Sequence, residues 1–240
     1  MGVLIVSEGP EFSQFYPGGE PPLFYFHGRV QEIQRLAADL SIPESDRAGL
    51  LRLCLIGLAA HFEAFCKAHF AAVINIHPSV LKGFAKSRQE CAITIKELLQ
   101  VLPNINYRIG SLLSEQSDFK WSSAKTINGL FRDLLGVTPF SKEEAKRFAE
   151  FVNDRNLLVH HGGIFTLKYE RRRFVETKRQ DGISSNVLRV ENTDIDKWSK
   201  FLVDIAQKLA SSSVKAMQAE TKGLKLENSR EIAVNLLTVT

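Results

Sequence analysis

Apolar residues recur along this chain with the period of an α-helix far more often than with the alternation of a strand, so the pattern predicts a mainly α protein. Val30, Ile33, Leu36, Ala37 and Leu40 define a first helix from His27 to Leu40, which Ser41-Ile42-Pro43 ends. A long second helix is predicted from Glu44 to Ile76. Its apolar positions, among them Leu51, Cys54, Leu58, Phe62, Phe65, Phe70 and Val73, cover more than one side. A helix of that kind lies at the centre of a fold or at a subunit interface. Further helices are predicted over Ser87–Leu102, stopped by Pro103, over Ile105–Leu113, and over Ser122–Leu135, where Ile127, Leu130, Phe131 and Leu134 form one stripe closed by Gly136.

The clearest boundary signals frame the next helix. Ser141-Lys142-Glu143-Glu144 reads as a capping box, with the Ser hydroxyl on the Glu144 amide and the Glu144 side chain reaching back. Ala145, Phe148, Phe151, Val152 and Val159 point this helix inward, and Gly162-Gly163 ends it. Ile164–Val175 and Val187–Val190, separated by Asp181-Gly182, are predicted as two strands or a ragged hairpin. Asn192 or Thr193 then caps a last long helix, Ile195 to about Ala219, with Trp198, Phe201, Leu202, Ile205 and Leu209 at helical spacing. The expected architecture is an antiparallel helical bundle with a small β-hairpin or irregular insertion before the last long helix. Residues 1–27, rich in Pro and Gly, are expected to form an extended arm docked by Leu23 to Phe26. Residues 28–220 form the helical domain, and 221–240 a tail.

Composition narrows the class. At 240 residues and 44% apolar content one full core is affordable. No run of 18 apolar residues occurs, and Met1 to Val6 is too short and lacks the basic flank of a signal peptide, so the expectation is a soluble, cytoplasmic protein without a membrane partner. Cys54, Cys66 and Cys91 are odd in number and sit in apolar helical patterns, as reduced core residues do. A net charge of +4 is compatible with an anionic partner without arguing for one.

Candidate chemistry is concentrated at the end of the capped helix. Arg155, Asn156 and His160 place a permanent cation, an amide and a titratable imidazole together there, which is either the equipment needed to cut RNA without a metal or, on spacing alone, a set of dipole-compensating and capping residues with a structural role only. Attack by the RNA's own 2′-hydroxyl requires a base for that proton, an acid for the departing 5′-oxygen and positive charge on the transition state. Histidine serves as acid or base near neutrality, and arginine offers fixed donors matched to phosphate oxygens. Asn156 lies four residues before His160 and shares its face. Arg155 does not: five residues leave it ~140° around and ~7.5 Å along the axis from His160 in an unbroken helix. A twofold dimer bringing two such helix ends together would converge the groups. The negative helix end favours a protonated imidazole, which suits the acid role.

The string Asn153-Asp154-Arg155-Asn156-Leu157-Leu158-Val159-His160-His161-Gly162-Gly163-Ile164 resembles the R-x4-6-H motif of the HEPN superfamily, including the polar residue after Arg. The long apolar helix containing Phe62-Glu63-Ala64-Phe65 and the segment from Ile164 through Leu209 resemble the surroundings of that motif in prokaryotic members, over about residues 44 to 210. The resemblance implies a HEPN-like helical domain and a metal-independent endoribonuclease that needs no cofactor. It implies a homodimer with composite sites, acting as a toxin or antiphage effector, with an antitoxin or defence-system protein as a further partner. Arg155, Asn156 and His160 would be the catalytic residues, with Asp154 and His161 as supporting neighbours. Relatives that bind RNA, nucleotide or a partner protein without catalysis are the alternative.

Other features are weaker. Lys168, Arg171, Arg172 and Arg173 open the densest basic run, with Tyr169 and Phe174 interleaved; it would track an RNA backbone or be a solvated face. Glu63, a charge inside an apolar stretch, calls for a partner, for which Arg155 is the candidate, and so for a supporting role at the site. His61, His69 and His77 recur every eight residues, a spacing that drifts ~80° around a helix, so the three do not share a metal ion. They read as core and surface residues. Neither a phosphate-binding glycine loop nor a G-x-S-x-G nucleophile pattern is present.

Overall fold

The computed structural model describes residues 12–88, 93–102, 104–167, 169, 187–221 and 228–240. They form a mainly α helical bundle. In chain order the α-helices are α1 (Pro22–Ala38), α2 (Glu44–Ile76), α3 (Leu81–Ser87), α4 (Ile95–Val101), α5 (Ile105–Ser114), α6 (Ala124–Leu135), α7 (Lys142–His161), α8 (Asn192–Glu220) and α9 (Asn228–Leu236).

The apolar content of α2 explains its place. It packs against α1, α5, α7 and α8, and its last turns, Phe70 to Ile76, are buried on every side. By length and composition alone α2 would pass for a membrane span, and 44% of its most apolar stretch is buried against these neighbours. Aromatic rings join the layers: Phe62 of α2 meets Phe26 of α1 and Phe148 of α7, and Phe151 of α7 meets Trp198 of α8. Cys54 and Cys66 are buried free thiols; Cys91 lies outside the described residues.

Helix α7 starts and stops as its sequence predicts. The Ser141 amide donates to Glu144 Oε2 (2.7 Å) and the Glu144 amide to Ser141 Oγ (3.2 Å). Lys208 of α8 adds a 2.7 Å ion pair to the same carboxylate, so the cap also fixes α7 against α8. Ser141→Ala is expected to cost about 1 kcal/mol, read as a lower urea midpoint at unchanged slope. At the other end Gly162 (φ 58°) and Gly163 (φ 87°) take left-handed backbone, and the Gly163 amide returns to the Leu157 carbonyl (3.1 Å).

Several boundaries differ from expectation, each for a local reason. Helix α1 begins at Pro22, so Leu23 to Phe26 are its first turns and not part of an extended arm; proline at the first helical position is pre-set for the helix. The helix expected over 87–102 is instead α3 and α4, because Thr94 and Glu97 form a capping box of their own. Helix α8 is capped by Glu191, reciprocating with Asp194, one residue ahead of the expected Asn192. Of the strands or ragged hairpin expected over Ile164–Val175 and Val187–Val190, residues 168 and 170–186 lie outside the described residues; among the described ones Ile164 forms an antiparallel bridge with Val187, and Leu167 and Tyr169 are helical. Thr166 Oγ1 accepts from the Tyr169 amide (3.2 Å), and the Phe165 and Tyr169 rings stack four residues apart at 5.1 Å, which favours a helical turn there. The C-terminal tail is also more than a tail. Arg230 of α9 donates to the Asn75 and Ile76 carbonyls that end α2, and Tyr16 Oη donates to the Ala233 carbonyl at 2.7 Å.

Among the three evenly spaced histidines, His69 is fully buried between Phe65 and Phe131, with Nε2 hydrogen-bonded to Ser213 Oγ at 3.1 Å. His77 meets Ser79 (2.9 Å), and the ring of His61 is half-buried. Burial drives the His69 imidazole down to about 3 from its ordinary value of 6.5. The folded state therefore holds it neutral while the unfolded chain protonates it below 6.5. The resulting stability is complete above that value and is lost as pH falls through 6.5 toward 3, at ~1.4 kcal/mol per pH unit. Denaturant titrations between pH 7 and 4 should give a shallower fall for His69→Phe than for the parent. Equal slopes would remove His69 as the cause.

Candidate functional site

Because α7 is helical to His161, Asn156 and His160 project from one face, and both line a pocket of about 190 Å³ at the helix end. Asn153, Leu157 and His161 line it from the same helix, Thr166 and Tyr169 from the turn beyond the glycines. The volume is well above the ~10–15 Å³ that one water needs on the same measure, which leaves room for a phosphodiester group. His160 and His161 are exposed, so a ligand reaches both rings without rearrangement.

Arg155 is turned the other way, as its angular offset on the helix requires. Its side chain is 24% exposed and faces α2, where Nη2 lies 3.5 Å from Glu63 Oε1. The partner expected for Glu63 is thus present. Arg155 Nη1 also donates to Asn156 Oδ1 at 2.9 Å, so the amide that lines the pocket is fixed by the cation behind it. Desolvation raises the Glu63 carboxyl above the usual range, and the Arg155 charge opposes that shift as the smaller effect. Burial, with the Glu63 charge adding to it, pushes the Cys66 thiol well up. That thiol, fully enclosed, is unsuited to nucleophilic work.

Asp154 accepts a 2.5 Å hydrogen bond from Tyr169 Oη, which ties the middle of α7 to the segment after the glycines and forms one wall of the pocket. Tyr169 and Thr166 are the residues that sequence reasoning missed as pocket walls. The signal was the Phe165/Tyr169 spacing of four, a helical interval inside a stretch read as a strand. Lys168, Arg171, Arg172 and Arg173, proposed from sequence to contact substrate, lie outside the described residues. Among the described residues no group of three or more His, Cys, Asp or Glu side chains is arranged to hold a metal ion.

One chain therefore brings Asn156 and His160 together, holds Arg155 behind Asn156, and leaves the guanidinium and the imidazole on different sides of the helix end. The arrangement offers an exposed acid/base group, an amide oriented by a cation, and room for a phosphate. The chain matches no family model, no curated protein and no solved structure.

Proposed function

We propose that this protein is a metal-independent endoribonuclease of the HEPN type, cleaving RNA by attack of a 2′-hydroxyl on the adjacent phosphate to leave a 2′,3′-cyclic end. The observation that carries the reading is the shared pocket of Asn156 and His160, with Arg155 bonded to the same asparagine. His160 acts as acid or base on the 2′- or 5′-oxygen, Asn156 holds a non-bridging oxygen, and Arg155 supplies the charge on the transition state. Glu63 supports Arg155, and Asp154 supports the pocket wall through Tyr169.

The separation of Arg155 from the pocket in one chain favours a composite site in a homodimer, with a guanidinium and an imidazole contributed by different copies. Val159, expected from the sequence to face inward, is instead 47% exposed, and with Ile164 and Leu167 (59 and 74%) it forms an apolar surface beside the motif suited to a second copy. By its resemblance the protein acts as a cytoplasmic toxin or antiphage effector restrained by a partner protein. The engagement of Arg155 by Glu63 favours one second reading, a non-catalytic module that binds RNA or a partner protein. Incubating purified protein with structured RNA in EDTA decides between them. Cleavage that persists and yields cyclic-phosphate ends supports the enzyme; binding without cleavage supports the module.

A further inference from the structure

The pair between Arg155 and Glu63 is built loosely for its surroundings. Guanidinium and carboxylate at their best form two parallel hydrogen bonds at ~2.7–2.9 Å. Here the approach is 3.5 Å, and both Arg155 Nε and Glu63 Oε1 are buried with no hydrogen-bond partner among the described residues. Unsatisfied buried groups of this kind carry a free-energy cost that a better partner would relieve. Asn156 stands between the two environments: it accepts from Arg155 and lines the pocket with His160. The guanidinium is thus one side chain away from the space where a phosphate would sit, and its fixed fork of donors suits a phosphate better than this single distant carboxylate oxygen.

We propose that Glu63 is an internal counter-ion that a phosphate must displace, holding the Arg155 guanidinium back from the phosphate of the composite site, whose His160 comes from the other copy, until an anion arrives. The inference deepens the ribonuclease reading by assigning its site a gate, and the anion is the phosphodiester of RNA. Glu63 is then a positioning residue acting against binding: it keeps the free protein's cation occupied, and RNA affinity is lower than the pocket alone would give. A purely structural role makes the opposite prediction, since loosening Arg155 would then disorder Asn156 and weaken binding.

The test uses two probes that the protein does not cleave, a fluorescent 2′-deoxy oligonucleotide and inorganic phosphate, with the full chain. Glu63→Gln keeps the shape and removes the competing charge. It is expected to bind the oligonucleotide about five- to tenfold more tightly than the parent, with a smaller gain in the same direction for phosphate. Adding Arg155→Ala should cancel the gain. Unchanged or weaker binding by folded Glu63→Gln overturns the proposal, and so does a gain that survives Arg155→Ala. Should Glu63→Gln fail to fold, the parent protein still answers. Its Arg155 Nε–H resonance, identified by its loss in Arg155→Lys, should move as phosphate or oligonucleotide is titrated; a resonance that stays fixed, or no binding of either probe, overturns it. Displacement without RNA cleavage would sink the enzyme reading and leave the gate standing. Cleavage without displacement would do the reverse.

Discussion

Arg155→Ala and His160→Ala are each expected to lower RNA cleavage in EDTA by ~10²- to 10⁴-fold, the range that a general acid or base and a transition-state cation supply. His160 is exposed, so its loss should change stability by no more than ~0.5 kcal/mol. Arg155→Ala leaves Glu63 partly buried without its cation and should also melt lower, which makes a folding control necessary for that variant alone. Mixing the two inactive variants gives the sharper result. In the proposed homodimer, random exchange would make about half the dimers mixed, and in each of those one of two composite sites would receive an intact arginine from one chain and an intact histidine from the other. About a quarter of parental activity should return. If both groups act within one chain, no mixed dimer contains an intact set and the mixture stays inactive. Parental activity in both single variants would remove the enzyme reading altogether.

Gly110→Ala is expected to destabilise the fold by about 3 kcal/mol or more, at the top of the range for overpacked sites. Helices α2 and α5 cross so closely that a Cβ at residue 110 would lie 2.1 Å from the Ala71 carbonyl oxygen and 2.8 Å from Asn75 Oδ1. The first of these is backbone and does not swing aside. The second is committed, because Asn75 Oδ1 accepts from the Gly110 amide (2.8 Å) while its Nδ2 donates to the Phe15 carbonyl. One added methyl therefore separates two helices and disturbs the polar link that seats the N-terminal segment. At ~2–4 °C per kcal/mol for a chain of this size, the melting temperature should fall by roughly 6–12 °C. A loss below ~1 kcal/mol would mean that the crossing is looser than described. Gly57→Ala is a useful comparison, since its Cβ would meet only the end of the Ile33 side chain at 3.3 Å.

Much of the bundle was legible in the sequence, and the legible parts share a cause. The Ser141/Glu144 cap and the Gly162-Gly163 stop depend on groups within a few residues of each other, so local chemistry dictates them in any tertiary setting. The burial of α2 was legible in part: apolar residues on several sides call for cover at the centre of a fold or at a subunit interface, and its packing against α1, α5, α7 and α8 decides for the centre. Missed boundaries were local too, Pro22 and the Thr94/Glu97 box among them. Strands or a ragged hairpin were read over a stretch where Phe165 and Tyr169, four residues apart, stack. There the apolar and basic composition of the stretch outweighed the spacing.

By itself the sequence determined which residues share the end of α7, that Asn156 and His160 face one way, and that Arg155 cannot face with them. Helical geometry fixes those angles before any packing occurs. Only the tertiary structure decided what each face meets: it set Glu63 across from Arg155, its candidate partner from the sequence, and brought Tyr169 back to Asp154 and α9 to the end of α2. These contacts join residues from 15 to 155 positions apart in the chain. No local pattern encodes them, because each depends on how two elements settle against a common core.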